Sequence, residues 1–199
     1  MNKYYRYTSL FILLILLTGI FSSCGKDKII DTSVNIKMTY GDNPLVMFEE
    51  VNYPDGTPMY FTRVSFFVED LQLQSEDNTY TLMNRDYIDL STDHSTENQA
   101  AIGSSIGNIE LPEGDYNVSF NIGVDAVDNA KTPVDFTSDN VLSRVSEYWT
   151  GWKSYIFIRV EGKIDLNGDG VVEEGFALHL GGDDAYTQIN VSNSRTISE

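Results

Sequence analysis

Alternation of apolar and polar side chains dominates the chain from Ser33 onward. Val34, Ile36 and Met38 alternate with Asn35, Lys37 and Thr39, and Tyr116, Val118, Phe120 and Ile122 share one face of a later run. Phe176, Leu178 and Leu180 alternate with Ala177, His179 and Gly181. A period of two puts successive side chains on opposite faces of an extended chain, so each run predicts a strand with one buried face. Residues 61–73 (FTRVSFFVEDLQL) alternate over much of their length. In residues 155–161, Tyr155, Phe157, Arg159 and Glu161 form one side and Ile156, Ile158 and Val160 the other. Residues 79–82, 87–90 and 188–191 are shorter candidate strands, and residues 44–48 are a short apolar run.

Turn signals separate these runs. Residues 53–58 (YPDGTP) and 111–115 (LPEGD) concentrate Pro, Gly and Asp, which favour turns for backbone reasons. Residues 91–105 are polar with small side chains and read as a loop; residues 127–134 are irregular, and residues 138–148 fit a short helix or a loop. No long 3.6-residue period and no internal repeat occur. Many short strands between turns predict a single all-β domain, an antiparallel β-sandwich of immunoglobulin-like type, with a barrel as the alternative.

The first residues follow a different pattern. Lys3 and Arg6 precede an apolar run over residues 10–17, too short for a stable bilayer span, and Phe21-Ser22-Ser23-Cys24 follows. Small residues before a Cys read as a bacterial lipoprotein signal, with Cys24 lipidated as the mature N-terminus. An ordinary signal peptide with an incidental Cys is the alternative. The chain then divides into a signal peptide (1–23), a lipidated Cys and linker (24–32) and one domain (33–199), held to the outer membrane of the cell envelope by its lipid. Lys26-Asp27 after that Cys partly resembles the surface-export tag of Bacteroidetes lipoproteins. Cys24 is the only Cys, so the domain has neither a disulfide nor a thiolate metal site. The net charge is −17, and −19 once residues 1–23 are removed, since Lys3 and Arg6 are the charged residues there. That excess of acid argues against nucleic acid and anionic lipid surfaces as partners.

Candidate chemistry gathers between residues 148 and 182. Asp165-Leu166-Asn167-Gly168-Asp169-Gly170-Val171 matches D-x-N-x-D-G-x. Oxygens of Asp165, Asn167 and Asp169 with the Val171 carbonyl suit Ca²⁺, and Gly at the sixth position permits the sharp turn. Glu173 or Glu174 could close the shell, because Phe176 stands where a complete EF-hand has its bidentate Glu. The flanks read as strands, so an acidic hairpin turn without metal is the competing reading. His179 lies on a strand, where a neutral imidazole can bind Cu or Zn; a hydrogen-bonded His is the alternative. His94 sits in the polar loop, with nothing to place it near His179. Trp149 and Trp152 read as core or rim aromatics. With no Cys nucleophile, no G-x-S-x-G and two His, no enzyme signature emerges.

Several phrases, in order, resemble the MbnP-like family, named for a periplasmic copper-binding protein associated with methanobactin. They include Asn43-Pro44-Leu45-Val46-Met47, residues 63–73 (RVSFFVEDLQL), residues 111–116 (LPEGDY), residues 120–125 (FNIGVD), Tyr148-Trp149, residues 155–162 (YIFIRVEG) and Leu178-His179-Leu180-Gly181, and they span about residues 35–192. The resemblance implies an exported β-sandwich that binds copper through His side chains and a Trp-derived kynurenine made with help from a dihaem partner. By motif, His179 matches the family's strand His, and Trp149 and Trp152 its paired-Trp segment. The chain departs from the pattern where a second His is expected near the first strand, a segment that carries Tyr40 and no His, and in the paired-Trp segment, where Gly151 falls between the two Trp. Two readings stand: a lipid-anchored, non-catalytic copper- and calcium-binding protein, or a surface module that binds a protein, glycan or TonB-linked partner.

Overall fold

The structure, a computed structural model, describes residues 28–191 and 193–198; the signal segment and Cys24 lie outside the described residues. The longer strands are β1 (Ile29–Ile36), β2 (Pro58–Gln74), β3 (Thr79–Asp89), β4 (Ser104–Pro112), β5 (Gly114–Ile122), β6 (Ser154–Ile164), β7 (Glu174–Gly181), β8 (Thr187–Asn190) and β9 (Arg195–Ile197). All of their pairings are antiparallel. The main sheet runs β7–β6–β2–β5–β8, and β1 and β4 form a separate two-stranded sheet. This is the all-β, single-domain architecture expected from the alternation.

β2 is the spine. A strand has two hydrogen-bonding edges, and β3 pairs with β2 from Ser65 to Gln74 along one of them. The other edge is shared: β6 pairs with Met59 to Phe66, and β5 takes over from Val68 to Gln74. The changeover falls at Phe67, whose carbonyl accepts a hydrogen bond from the Gly123 N–H at 3.0 Å. β2 therefore ties two sub-sheets together, and its side chains alternate between two cores. Val64, Phe66 and Val68 pack with Leu45, Met47, Ile88 and Leu90 between the sheets. Phe67 points the other way, into a second cluster with Val124, Leu142, Tyr155 and Phe157. At Asp70, with φ of +49°, the phase shifts, so that Leu71 and Leu73 rather than the even positions become buried.

The structure also corrects boundaries. β1 starts at Ile29, inside the segment read as linker, because Ile29 and Ile30 pair with Pro112 and Leu111. The two short candidates at 79–82 and 87–90 are one strand, β3. The intervening Asn84-Arg85-Asp86 lacks an apolar signal because Arg85 reaches Glu69, Asp125 and Asp128 instead. The loop 91–105 contains helix α1 (Glu97–Ile102), capped by Thr96, whose side chain accepts from the Gln99 N–H. β4 begins at Ser104, and an extra residue opposite Val34/Asn35 breaks its alternation. A short helix α2 (Ala126–Asn129), capped by Asp125, and three 3₁₀ turns cover the second core. β9 lies beyond the strand expected to be last. Among the described residues no helix is long and apolar enough to cross a membrane.

Candidate functional site

The face of the main sheet that points away from the inter-sheet core carries a row of polar side chains across four strands. Register sets it. Arg63 on β2 lies opposite Glu161 on β6, Ser65 opposite both Arg159 on β6 and Asp89 on β3, and Arg159 opposite His179 on β7. The same period of two that buries Val64 and Phe66 turns these odd-numbered residues outward.

Glu147 joins the row from above. Its side chain is 2% exposed and forms ion pairs with Arg63 at 3.0 Å and Arg159 at 3.2 Å. Arg159 also meets Glu161 at 3.1 Å and donates to the Ser146 carbonyl at 2.6 Å. Glu161 in turn holds His179, with 2.9 Å between Oε1 and Nε2. Burial raises the Glu161 carboxyl pKa, but the hydrogen bonds from His179 and Arg159 outweigh it and hold the group below its ordinary value.

The two Trp close the end of this row. Tyr148–Trp149 pairs with Ser154 and Tyr155 at the start of β6, making a tight hairpin. The Trp152 N–H donates to the Trp149 carbonyl at 3.1 Å, and Lys153 takes a left-handed φ of +55° to turn the chain. Asn129 pins its base: Oδ1 accepts from the Tyr155 N–H at 2.9 Å and from Ser154 Oγ at 3.0 Å. The Trp149 and Trp152 rings lie 5.5 Å apart at 31°, and Trp149 meets the His179 ring at 5.9 Å. Trp152 rests over Gly181, whose missing side chain makes room for the indole. Both Trp are about half exposed; Leu178 and Leu180, which alternate with His179 and Gly181 along edge strand β7, are also open to solvent.

The structure thus brings together His179, Trp149 and Trp152, which sequence spacing alone did not join, and adds Glu161, Arg159 and Glu147. The signal for Glu161 was present in its position two residues from the His179 partner on one strand face; Glu147 is not legible without the fold. The donors suit only part of a copper site: one imidazole, already bonded to a carboxylate that also serves an Arg. Among the described residues, no three His, Cys, Asp or Glu side chains gather around a common point suited to a metal ion.

The 165–171 loop joins β6 to β7, as its strand-like flanks imply. Asp165 is nearly buried and accepts from the Gly168 N–H at 2.7 Å and the Gly170 N–H at 2.9 Å. Asn167 accepts from the Asp169 N–H, and Asp169 from the Val171 N–H, both at 2.9 Å. Glu174 approaches the Leu166 N–H at 3.4 Å. The side-chain oxygens therefore shape the turn themselves. Gly168 and Gly170, with φ of +74° and +86°, supply the left-handed positions.

His94 is fully buried, apart from the row. Its Nε2 accepts from the Met38 N–H at 3.1 Å, and its carbonyl accepts from the Met47 N–H at 2.7 Å. It clasps the polar loop to the core, and burial lowers its pKa.

An antiparallel sandwich with a surface Trp–His cluster at one sheet edge is the class these features define. The MbnP family model matches residues 30–198, and the chain belongs to that family. Among solved structures, MbnP from Methylosinus trichosporium is similar, with a TM-score of 0.57, 10% identity, and coverage of 83% of this chain and 72% of that one. At that identity the likeness shows the fold. A search among curated proteins found no match.

Proposed function

We propose that this MbnP-family protein is an exported, lipid-anchored, non-catalytic metal-handling protein of the cell envelope, and that its contact with copper runs through His179 beside Trp149 and Trp152. The observation that carries this reading is the assembly of those three rings, drawn from two neighbouring elements, on one exposed surface. Glu161 orients the imidazole, as the carboxylates behind metal-binding His commonly do. One imidazole does not hold copper tightly, so the remaining donors come from elsewhere: a kynurenine made from a Trp with help from a dihaem partner, or other groups or chains. Calcium belongs to the same proposal. Asp165, Asn167, Asp169 and the Val171 carbonyl, with Glu173 or Glu174, are oxygen ligands of the type calcium takes.

The deciding experiment strips the protein with chelator and titrates Ca²⁺, Cu(I) and Cu(II) separately by calorimetry and thermal melting. An ion bound only by the folded state raises the midpoint. Stoichiometric copper uptake that disappears in His179→Ala supports the copper reading, and its absence from the native chain overturns it. Calcium stabilisation that disappears in Asp169→Ala supports the loop as a calcium site; no response overturns that part.

The incomplete donor set favours a second reading, a surface module that binds a glycan, a protein or a TonB-linked partner without copper. Binding of such a partner to metal-stripped protein supports it.

A further inference from the structure

Residues 92–103, the segment that carries α1, are thinly anchored. Within them only His94 and Ala100 are buried. Among the described residues, the hydrogen bonds that tie the segment to the rest of the domain are made by His94. The Met38 N–H donates to its Nε2 at 3.1 Å, and the Met47 N–H donates to its carbonyl at 2.7 Å. The segment ends at Gly103, with φ of +81°, where a Cβ would stand 2.5 Å from the Ile36 carbonyl oxygen. A stretch with so few buried contacts opens at a lower cost than the sheets it covers. Its outer wall and Pro44, Val46 and Glu50 enclose a cleft of about 840 Å³, with Ser95, Glu97 and Ala101 on the α1 side.

The clasp has a chemical condition. A backbone N–H only donates, so the Nε2 that meets Met38 must be bare and the ring neutral, with its proton on Nδ1. Nδ1 has no hydrogen-bond partner among the described residues. A second proton therefore goes to Nε2, and an imidazolium donates from both nitrogens. Donor then faces donor at a site with no accessible surface, where an unmatched charge is far costlier than in water. The charged groups nearby do little to hold a cation in place. Burial disfavours it and outweighs Asp93 and the Leu90 backbone, which favour it. At the end of β3, Asp89 is engaged by Ser91 and Arg63. Lys37 and Asp42, in the stretch that leads through Met38 to Met47, and Glu97 on α1 are exposed.

We infer that His94 is a proton-operated clasp: protonation at Nε2 releases residues 92–103 from Met38 and Met47 and opens the cleft beside α1 while the sheets stay folded. The closed form binds this proton more weakly than the open form. The open fraction therefore rises as pH falls below about 6.5, by up to about tenfold per pH unit, until the depressed closed-state value is reached. The device is independent of copper, since His94 lies apart from the row that ends at His179.

The test is amide hydrogen exchange of the purified protein between pH 7 and 5, read by NMR at single residues and corrected for the intrinsic pH dependence of exchange. The expected result is that protection at Met38, Met47 and Ala100 falls about tenfold or more, while amides of β2 and β6 keep theirs. His94→Gln offers an acceptor that does not titrate, so its protection at these positions should vary little with pH, whether the clasp holds in that variant or is already loose. Unchanged protection at Met38 and Met47 in the native chain overturns the inference. So does an equal fall in His94→Gln, which would assign the proton to another group. A fall shared by β2 and β6 overturns it as well, because the whole domain would then be opening.

Discussion

Removing the Glu147 carboxylate is the sharpest perturbation of the polar row. The side chain is 2% exposed and is held by two guanidinium groups, with Arg63 at 3.0 Å and Arg159 at 3.2 Å, and by Ser146 Oγ at 2.8 Å. Taking one partner from a fully buried ion pair costs about 3–5 kcal/mol because the other charge is left uncompensated. Here both arginines keep other partners: Arg63 has the Tyr87 hydroxyl at 2.8 Å, and Arg159 has Glu161 and the Ser146 carbonyl. The expected loss for Glu147→Ala is therefore about 2–3 kcal/mol. In a domain of this length that lowers the melting midpoint by roughly 5–10 °C. Urea melts read by Trp fluorescence measure it and also report on Trp149 and Trp152, the only Trp in the chain. Glu147→Gln keeps one acceptor and should lose about half as much. A loss below about 0.5 kcal/mol, the range of an ordinary surface change, refutes the argument that Glu147 anchors the row.

Three further outcomes are expected. Gly123→Ala places a Cβ 2.5 Å from Phe157 Cδ2 at a φ of +115°, so the second core must shift; denaturant melts should show a loss of about 3 kcal/mol. Asp165→Ala removes the acceptor for two turn N–H groups and should cost about 1–3 kcal/mol even without calcium, measured by melting in excess chelator. For His94, burial lowers the folded-state pKa, so the unfolded chain binds the proton first as pH falls. The resulting loss of stability starts below about 6.5, the unfolded value, and continues down to the depressed folded value. Denaturant melts between pH 7 and 5 should show this slope in the native chain and a flatter one in His94→Gln; equal slopes refute it.

Much of the strand pattern is legible in the residues because a half-buried strand must alternate. Residues 116–122, 155–161 and 176–181 all form strands, and the D-x-N-x-D-G loop joins two of them; in 176–181, however, Leu178 and Leu180 are exposed and His179 is the more covered, because nothing among the described residues packs over that face of the edge strand. The pattern fails where polar residues are satisfied by distant partners. Arg85 made β3 look like two fragments, and the extra residue in β4 broke its period. The family phrases carried the rest, since their order survives where their individual signals are weak.

The sequence by itself determines the all-β class, the acidic charge and the hairpin turn at residues 165–171, because these follow from local periodicity, composition and backbone preference. Only the tertiary structure decides which residues share a surface. His179 meets Trp149 through the pairing of β7 with β6 and of Tyr148–Trp149 with β6, and Glu147 reaches Arg63 across 84 positions of chain. Those contacts depend on strand order and register. Both are set by long-range burial on the two faces of β2, which no local stretch of sequence encodes.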